Sequence, residues 1–246
     1  MGKKSRMTQE CHAGVGSQKD VQPSGNALKS LDQKVLVLVA GLPYSGKTTF
    51  AKYLSQTKQY PLLEGDSLDA NFQSSINENE EGKNAIQYLR SRYTEDEVSM
   101  WLEKIVADAY VRNIVNTLGS HNGVIIESAR FGMPQIPDYR GYIIQMVRPQ
   151  VDIATEAYWM DTDLGTILSR YRAHNQKPKL WTPNMSEKEK LIEDQREFLT
   201  EDELRIRHAN VVLPKLEEGF NKIFYVTAIS LGQYVIKEQT VRQNSA

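Results

Sequence analysis

The chain has 246 residues, of which 40% are hydrophobic, enough for the packed core of one ordinary domain or two small ones. Its 30 basic and 31 acidic residues give a net charge of −1, which excludes a global field that attracts nucleic acid. Its single cysteine excludes a disulfide framework, and no apolar run reaches the roughly 18 residues of a transmembrane helix. We therefore expect a cytoplasmic or otherwise intracellular protein without a membrane partner.

The first 30 residues are polar and show no hydrophobic period. Such a segment cannot bury enough apolar surface to offset the entropy lost on ordering. We therefore expect a disordered tail over residues 1–30 and one folded domain over residues 31–246. A basic arm for nucleic acid is the alternative interpretation of the tail.

The folded part opens with residues 35–40, a short apolar run that is typical of a central parallel strand covered on both faces. Further strands are predicted over residues 60–63, 124–127, 156–160 and 223–229, and helices over residues 47–58, 96–118, 164–173 and 186–197. Thr94 and Glu97 have the spacing of a capping box at the start of the second helix. Residues 142–147 fit either a strand or the end of a helix. The alternation predicts an α/β fold with a doubly wound parallel sheet and helices on both faces.

A phosphate-binding loop directly follows the first strand. It fits the pattern G-x-x-x-x-G-K-S/T in full, with Gly41, Leu42, Pro43, Tyr44, Ser45, Gly46, Lys47 and Thr48. The preceding strand and the following helix supply the context that this motif requires. Its glycines let backbone N–H groups converge on phosphate oxygens, and the helix adds its positive end. The pattern predicts ATP or GTP binding, with Lys47 on the β- and γ-phosphates and Thr48 on Mg²⁺. Thr49 is expected to join the nucleotide contacts.

The nucleotide loop does not identify the reaction, because GTPases, motors and kinases share it. The chain contains no N/T-K-x-D element for reading guanine. Its third strand ends in Glu127 and Ser128, whereas AAA-type and helicase motors have two consecutive acids there. These differences favour a kinase.

Two acids, Asp66 and Asp69, follow the second strand, at the sheet edge where such folds bind ligands. A kinase needs a carboxylate there to orient the acceptor hydroxyl and to take its proton. We predict that Asp66, the first acid after the strand, is this base and that Asp69 is not. An Asx-type cap of the following turn is the alternative for both.

Two arginines, Arg170 and Arg172, lie on the polar helix after the fourth strand. A helical lid at this position would close over the phosphates, and a guanidinium would stabilise charge on the transferred phosphoryl group. We predict that one of the two arginines has this function, and a solvated helix face is the alternative. Asp161 is predicted to cap the start of the helix.

These elements, in this order, resemble the P-loop polynucleotide 5′-kinase family and its zeta-toxin-like relatives. The run Glu64-Gly65-Asp66-Ser67-Leu68 resembles the family's element around the catalytic aspartate, and residues 123–126 resemble its third strand. Residues 214–220 are similar to the family's closing P-x-L-x-E-G-F element.

The resemblance implies which residues contact the acceptor and which lie near the nucleotide. It implies that Asp66 activates a 5′-hydroxyl and that Glu218, Gly219 and Phe220 lie on the side that holds the adenine. Some members have an arginine soon after the catalytic aspartate that holds a substrate phosphate. This chain has Asp69 nearby instead, so Arg130, in the turn after the third strand, is the candidate replacement.

The sequence thus predicts a kinase that transfers the γ-phosphoryl group of ATP, with Mg²⁺, to a hydroxyl. The first choice of acceptor is the 5′-hydroxyl of DNA or RNA, which the E-G-F element favours. The near-neutral charge favours the first alternative, a small hydroxylated molecule such as a nucleoside, a nucleotide sugar or an antibiotic. A non-catalytic nucleotide-binding module is the second alternative.

Overall fold

The computed structural model describes residues 33–133, 139–176, 199–230 and 232–239. The chain divides into two units, Met1–Leu31 and Asp32–Ala246, and all described residues belong to the second. The predicted tail and the predicted helix over residues 186–197 lie outside the described residues. Within the described ranges, no helix has both the length and the apolar character needed to span a membrane.

The strands and helices alternate along most of the chain. The strands are β1 (Lys34–Ala40), β2 (Leu62–Glu64), β3 (Gly123–Ser128), β4 (Ile153–Met160), β5 (Lys222–Ser230) and β6 (Gln233–Glu238). The helices are α1 (Lys47–Lys58), α2 (Gly65–Glu78), α3 (Glu80–Arg92), α4 (Glu95–Ser120), α5 (Tyr139–Val147), α6 (Leu164–Asn175) and α7 (Glu201–Ala209). Short 3₁₀ helices span Ala129–Gly132 and Leu216–Glu218.

Within the described residues, six strands form one sheet with the order β2-β3-β1-β4-β5-β6. Strands β1 to β5 pair in parallel, and β6 joins the edge antiparallel to β5. Because β1 lies between β3 and β4, the carboxyl ends of these strands meet at one edge of the sheet. Ligands of open α/β sheets bind at that edge. The predicted α/β fold with a doubly wound parallel sheet is confirmed.

Alternate residues of β1 face opposite layers of the fold. Leu36 and Leu38 pack with α4 and α5, whereas Val37 and Val39 pack with Phe50 of α1. All four β1 side chains are fully buried. A strand covered on both faces needs apolar residues at consecutive positions, which explains the uninterrupted run that predicted it.

The predicted bounds of α1 and α4 agree with the structure to within two residues. The predicted helix over residues 47–58 coincides with α1, and residues 142–147 belong to α5. The capping box is confirmed, since the N–H of Glu97 donates to Thr94 Oγ1 (3.3 Å) and the N–H of Thr94 donates to Glu97 Oε2 (2.9 Å).

The predicted N-cap of α6 was wrong by two residues. The N-cap is Asp163, whose carboxylate accepts the N–H of Thr166 (2.9 Å), and not Asp161. The N–H of Asp161 donates to the carbonyl of Val226 on β5 (2.9 Å). This bond keeps Asp161 in the extended continuation of β4, so the helix begins two residues later.

Candidate active site

The phosphate loop joins β1 to α1 at the carboxyl edge of the sheet, and its backbone requires glycine. Gly46 has φ 98° and Tyr44 has φ 63°. A side chain at Gly41, where φ is 152°, would come within 2.8 Å of Ser45 Oγ. The loop closes on itself, since the N–H of Ser45 donates to the carbonyl of Leu42 (3.1 Å). A curled loop that leads into a helix N-terminus is a ready-made phosphate site.

Lys47 opens α1 and is only 8% exposed. Its Nζ donates to the carbonyl of Leu42 (3.0 Å), which holds the ammonium group against the phosphate loop. Burial lowers the pKa of Lys47, whereas the nearby carboxylates of Glu127 and Asp66 favour its charged form. The side chain is therefore positioned as the phosphate-binding motif predicts.

Thr48 and Glu127 form the place where Mg²⁺ would bind. Thr48 Oγ1 donates to Glu127 Oε1 (3.3 Å), and Glu127 pairs in register with Val39 near the end of β1. Burial raises the pKa of Glu127, although the charge of Lys47 opposes this shift. Hydroxyl and carboxylate oxygens suit Mg²⁺, which takes one or two carboxylates and completes its shell with phosphates and water. No cluster of three acidic, histidine or cysteine side chains occurs among the described residues, and this arrangement needs none.

The sequence left open whether Glu127 contacts substrate or metal, although a signal for the metal was present. A single acid stands at the end of an apolar strand, and the parallel pairing of β3 with β1 sets it beside the phosphate loop. The pairing is a property of the sheet order, which the sequence does not give directly.

Asp66 lies in the first turn of α2 and is exposed. Among the described residues, no hydrogen-bond or ion-pair partner of Asp66 occurs. Its charge nevertheless favours the ammonium form of Lys47 and raises the pKa of Glu127. The structure therefore brings Asp66, Lys47 and Glu127 together at the carboxyl edge. Neither Asp66 nor Asp69 caps α2, because the N-cap residue is Glu64 and no side chain caps it.

Gly65 lets α2 start directly against the end of β3. A Cβ at this position would lie 2.6 Å from the carbonyl oxygen of Glu127 and 2.8 Å from Ser128 Cβ. The hydroxyl oxygen of Tyr110 would also be 2.8 Å away. Any larger residue would have to push the start of α2, and Asp66 with it, away from β3.

Asp69 has a different environment from Asp66. Its carboxylate accepts Arg130 Nε (2.8 Å) and the hydroxyl of Tyr110 (3.1 Å). Arg130 also donates through Nη1 to Glu103 on α4. Burial raises the pKa of Asp69, an effect that Arg130 opposes. Burial opposes the charge of Arg130, but Asp69 and Glu103 outweigh it and raise the pKa of the guanidinium above its ordinary value.

The two arginines of α6 lie in different places. Arg170 Nη1 donates to the carbonyls of Ser45 (2.9 Å) and Tyr44 (3.1 Å) on the phosphate loop. Arg172 binds both carboxylate oxygens of Glu201 on α7 (2.6 and 2.7 Å) and is half exposed. Of this pair, Arg170 lies at the phosphate loop and Arg172 connects α6 to α7.

Helix α6 is packed onto the phosphate loop by more than Arg170. The ring of Tyr44 contacts Tyr171 edge to face, with centroids 5.5 Å apart, and lies 5.8 Å from the ring of His174. Thr162, just before the helix, donates its hydroxyl to the carbonyl of Ser45 (3.0 Å). The loop and α6 therefore form one packed unit.

Among the described residues, no residue of the E-G-F element contacts the phosphate loop. Glu218 binds Arg140 of α5 at two points (2.6 and 2.7 Å). The carbonyl of Gly219 accepts the hydroxyl of Thr155 (2.7 Å), near the amino end of β4, and Phe220 is buried in the core. Glu218, Gly219 and Phe220 thus have packing contacts in the structure, and the buried charge of Arg140 explains the position of the Glu218 carboxylate. Their contact with the nucleotide stays a prediction.

The chain matches no protein-family model and no curated protein. Similar solved structures include a gluconokinase from Sinorhizobium meliloti 1021, 15% identical over 80% of this chain and 83% of that chain, with a TM-score of 0.41. A structure of the PezAT toxin–antitoxin system of Streptococcus pneumoniae is 15% identical over 89% and 78%, with a TM-score of 0.45. One of the Pnkp1/Rnl/Hen1 RNA repair complex is 16% identical over 74% and 47%, with a TM-score of 0.38. At these values the likenesses carry no argument about the reaction.

Proposed function

We propose that this chain is a phosphotransferase that moves the γ-phosphoryl group of ATP to a hydroxyl group. The observation that carries the proposal is the placement of Asp66, Lys47 and Glu127 beside the phosphate loop. Lys47 opens α1, and Asp66 starts α2 directly after β2, whose Glu64 pairs in register with Glu127. Asp66 is exposed, has no hydrogen-bond or ion-pair partner within the described part of the chain, and lies close enough to Lys47 to favour its charged form. This is the arrangement that a kinase needs between its donor and its acceptor.

Each residue has a chemical task in the proposed reaction. The loop N–H groups and Lys47 hold the phosphates, while Thr48 and Glu127 would hold Mg²⁺, which neutralises charge on the β- and γ-phosphates when bound. Asp66 aligns the acceptor hydroxyl and accepts its proton as the new O–P bond forms. The bond from the γ-phosphorus to the bridging oxygen breaks, and ADP leaves. Arg170 stabilises the charge on the transferred group.

The charges around Asp66 support a small acceptor without a phosphate beside its hydroxyl. Arg130, the candidate for holding a substrate phosphate, is engaged by Asp69 and Glu103. We therefore propose a small hydroxylated molecule first. The 5′-hydroxyl of DNA or RNA is the second candidate, supported by the exposure of Asp66, which leaves room for a polymer end.

The test is ADP release by the purified chain with ATP, Mg²⁺ and a panel of acceptors. The panel contains 5′-hydroxyl DNA and RNA oligonucleotides, nucleosides, sugars, nucleotide sugars and amino-sugar antibiotics. Lys47→Ala serves as the control, because it removes the ammonium group from the phosphate site. Transfer to oligonucleotides alone would reverse the order of the two candidates. ATP binding without transfer to any acceptor would instead indicate a non-catalytic module.

A further inference from the structure

A second group of charged residues lies one helical turn from Asp66. It consists of Asp69 on α2, Glu103 and Tyr110 on α4, and Arg130 in the 3₁₀ turn after β3, and is called the α2 clamp below. Arg130 bridges the two carboxylates, and Tyr110 donates its hydroxyl to Asp69. The clamp thus joins α2 to α4 and to the end of β3.

The contacts of the α2 clamp suit it to fix the position of α2 and not to bind a ligand from solution. The side chains of Asp69 and Arg130 are 13% and 23% exposed, and that of Glu103 is 32% exposed. A partly buried arginine between two carboxylates has little freedom to turn towards a ligand, because both partly buried carboxylates would then lose their cation. A guanidinium is also the side chain best suited to bridge two carboxylates, since its fork presents donors in fixed directions.

Asp66 depends on its helix for its position. It has no hydrogen-bond or ion-pair partner among the described residues, so its backbone must be held by other contacts. Gly65 packs α2 against β3 on one side of Asp66, and Asp69 fixes the next turn on the other. Leu68 and Phe72 add partly buried apolar contacts to the main core.

We propose that Arg130 is a positioning residue, which holds the first turns of α2 through Asp69 and so keeps Asp66 at the phosphate loop. This inference rests on the proposed function and goes beyond it, because it replaces the substrate-phosphate role considered for Arg130. A positioning residue affects transfer to every acceptor. A residue that binds a substrate phosphate would affect only acceptors that carry one, and chiefly their KM.

The main test compares Arg130→Gln with wild type on the best acceptor from the panel. We expect kcat to fall about 10²-fold, as for a catalytic group misplaced by about 1 Å. The acceptor KM and the affinity for ADP should change by less than about threefold. Amide hydrogen exchange over residues 65–72 should become faster, whereas exchange in α6 should not change. Arg130→Lys keeps the charge but not the fork, so it should recover only part of kcat.

Two further variants guard against misfolding and separate the two arms of the clamp. Glu103→Gln removes the α4 arm alone at a more exposed position and should give a smaller effect in the same direction. Asp69→Asn combined with Arg130→Gln should cost no more than the larger single effect, because both act through one contact. The matched control is Lys58→Met, which breaks the ion pair between Lys58 and Glu156 (3.0 Å). This pair is about as buried as that of Arg130 and Asp69, and it lies at the end of α1 away from the phosphate loop. Lys58→Met should leave kcat unchanged.

Three results would overturn the inference. A higher acceptor KM with kcat retained would make Arg130 a substrate contact. Unchanged kcat in all clamp variants would leave it without a role in transfer. Unchanged exchange over residues 65–72 in Arg130→Gln would show that the clamp does not hold α2. If wild type transfers phosphate to no acceptor, the proposed function fails, and the exchange measurement still decides whether the clamp holds the helix.

Discussion

Two acidic side chains one turn apart on α2 have opposite surroundings. Asp66 is exposed and close enough to Lys47 to affect its charge, while Asp69 is bound by Arg130 and Tyr110. Their order along the chain predicts Asp66 as the candidate base, and this assignment stays a prediction. The sequence could not predict that Arg130 and Tyr110 bind the Asp69 carboxylate, because both residues lie far from Asp69 along the chain.

The replacement Asp66→Asn keeps the shape of the side chain and removes its charge. We expect kcat to fall about 10²- to 10⁴-fold, the span for a lost acid–base residue, while ADP affinity persists. Asp69→Asn should have less effect than Asp66→Asn, because it acts through the position of α2 alone. Steady-state kinetics and ADP titration measure both. Full activity of Asp66→Asn would move the base assignment to Glu127.

The arginines of α6 offer a paired test at the same scale. Arg170→Gln should lower kcat about 10²-fold, since it removes a cation at the phosphate loop. Arg172→Gln should change kcat by less than about threefold, because its partner is Glu201 on α7. Both variants are compared by kcat with saturating ATP. Equal effects, or a larger effect at Arg172, would contradict the assignment of Arg170.

At the scale of helices and strands, the sequence was informative where a local physical signal existed. β1 shows an uninterrupted apolar run, and α1 and α4 follow a phosphate motif and a capping box. α3 was missed because none of its residues is buried, so it has no apolar stripe to detect. β6 was missed because an antiparallel edge strand does not fit the alternation that predicted the others.

The capping box at the start of α4 makes stability depend on pH. Hydrogen bonds from the N–H and hydroxyl of Thr94 lower the pKa of Glu97. A lowered carboxyl pKa adds stability above its ordinary value of about 4.3, and this stability is lost as pH falls through the lowered pKa. Glu97→Ala should therefore lower the urea midpoint at pH 7. The difference from wild type should shrink in acid, and a difference independent of pH would contradict the charged cap.

At the scale of the whole molecule, the site is assembled from segments that the chain brings together only through sheet order. The phosphate loop follows β1, Asp66 follows β2, and Glu127 ends β3. The motif gave the first of these directly. The sequence did not predict the contact of Glu218 in the E-G-F element with Arg140, because the two residues are 78 positions apart and no local pattern reveals the pair.

The pair of Arg140 and Glu218 provides the test at this scale. Arg140 is 2% exposed, so Glu218→Gln would leave its buried charge without a carboxylate. We expect a loss of about 3–5 kcal/mol in the free energy of unfolding, measured in urea. ADP affinity below the unfolding transition should not change. A folded variant with weakened ADP binding would restore the nucleotide-binding interpretation of the element.

Under the proposed function, the missing side chain at Gly65 sets the distance between Asp66 and the phosphate loop. Neighbouring parallel strands are about 4.8 Å apart. Helix α2 starts so close to β3 that a Cβ at Gly65 would clash with it. In the proposed reaction, this distance then depends on the contact between two backbone segments, which a change of side-chain rotamer cannot adjust. Gly65→Ala should fold yet act as a wedge, moving the next residue outward by about an ångström and slowing transfer on the order of 10²-fold. We therefore expect Gly65 to act as a spacer in the proposed site.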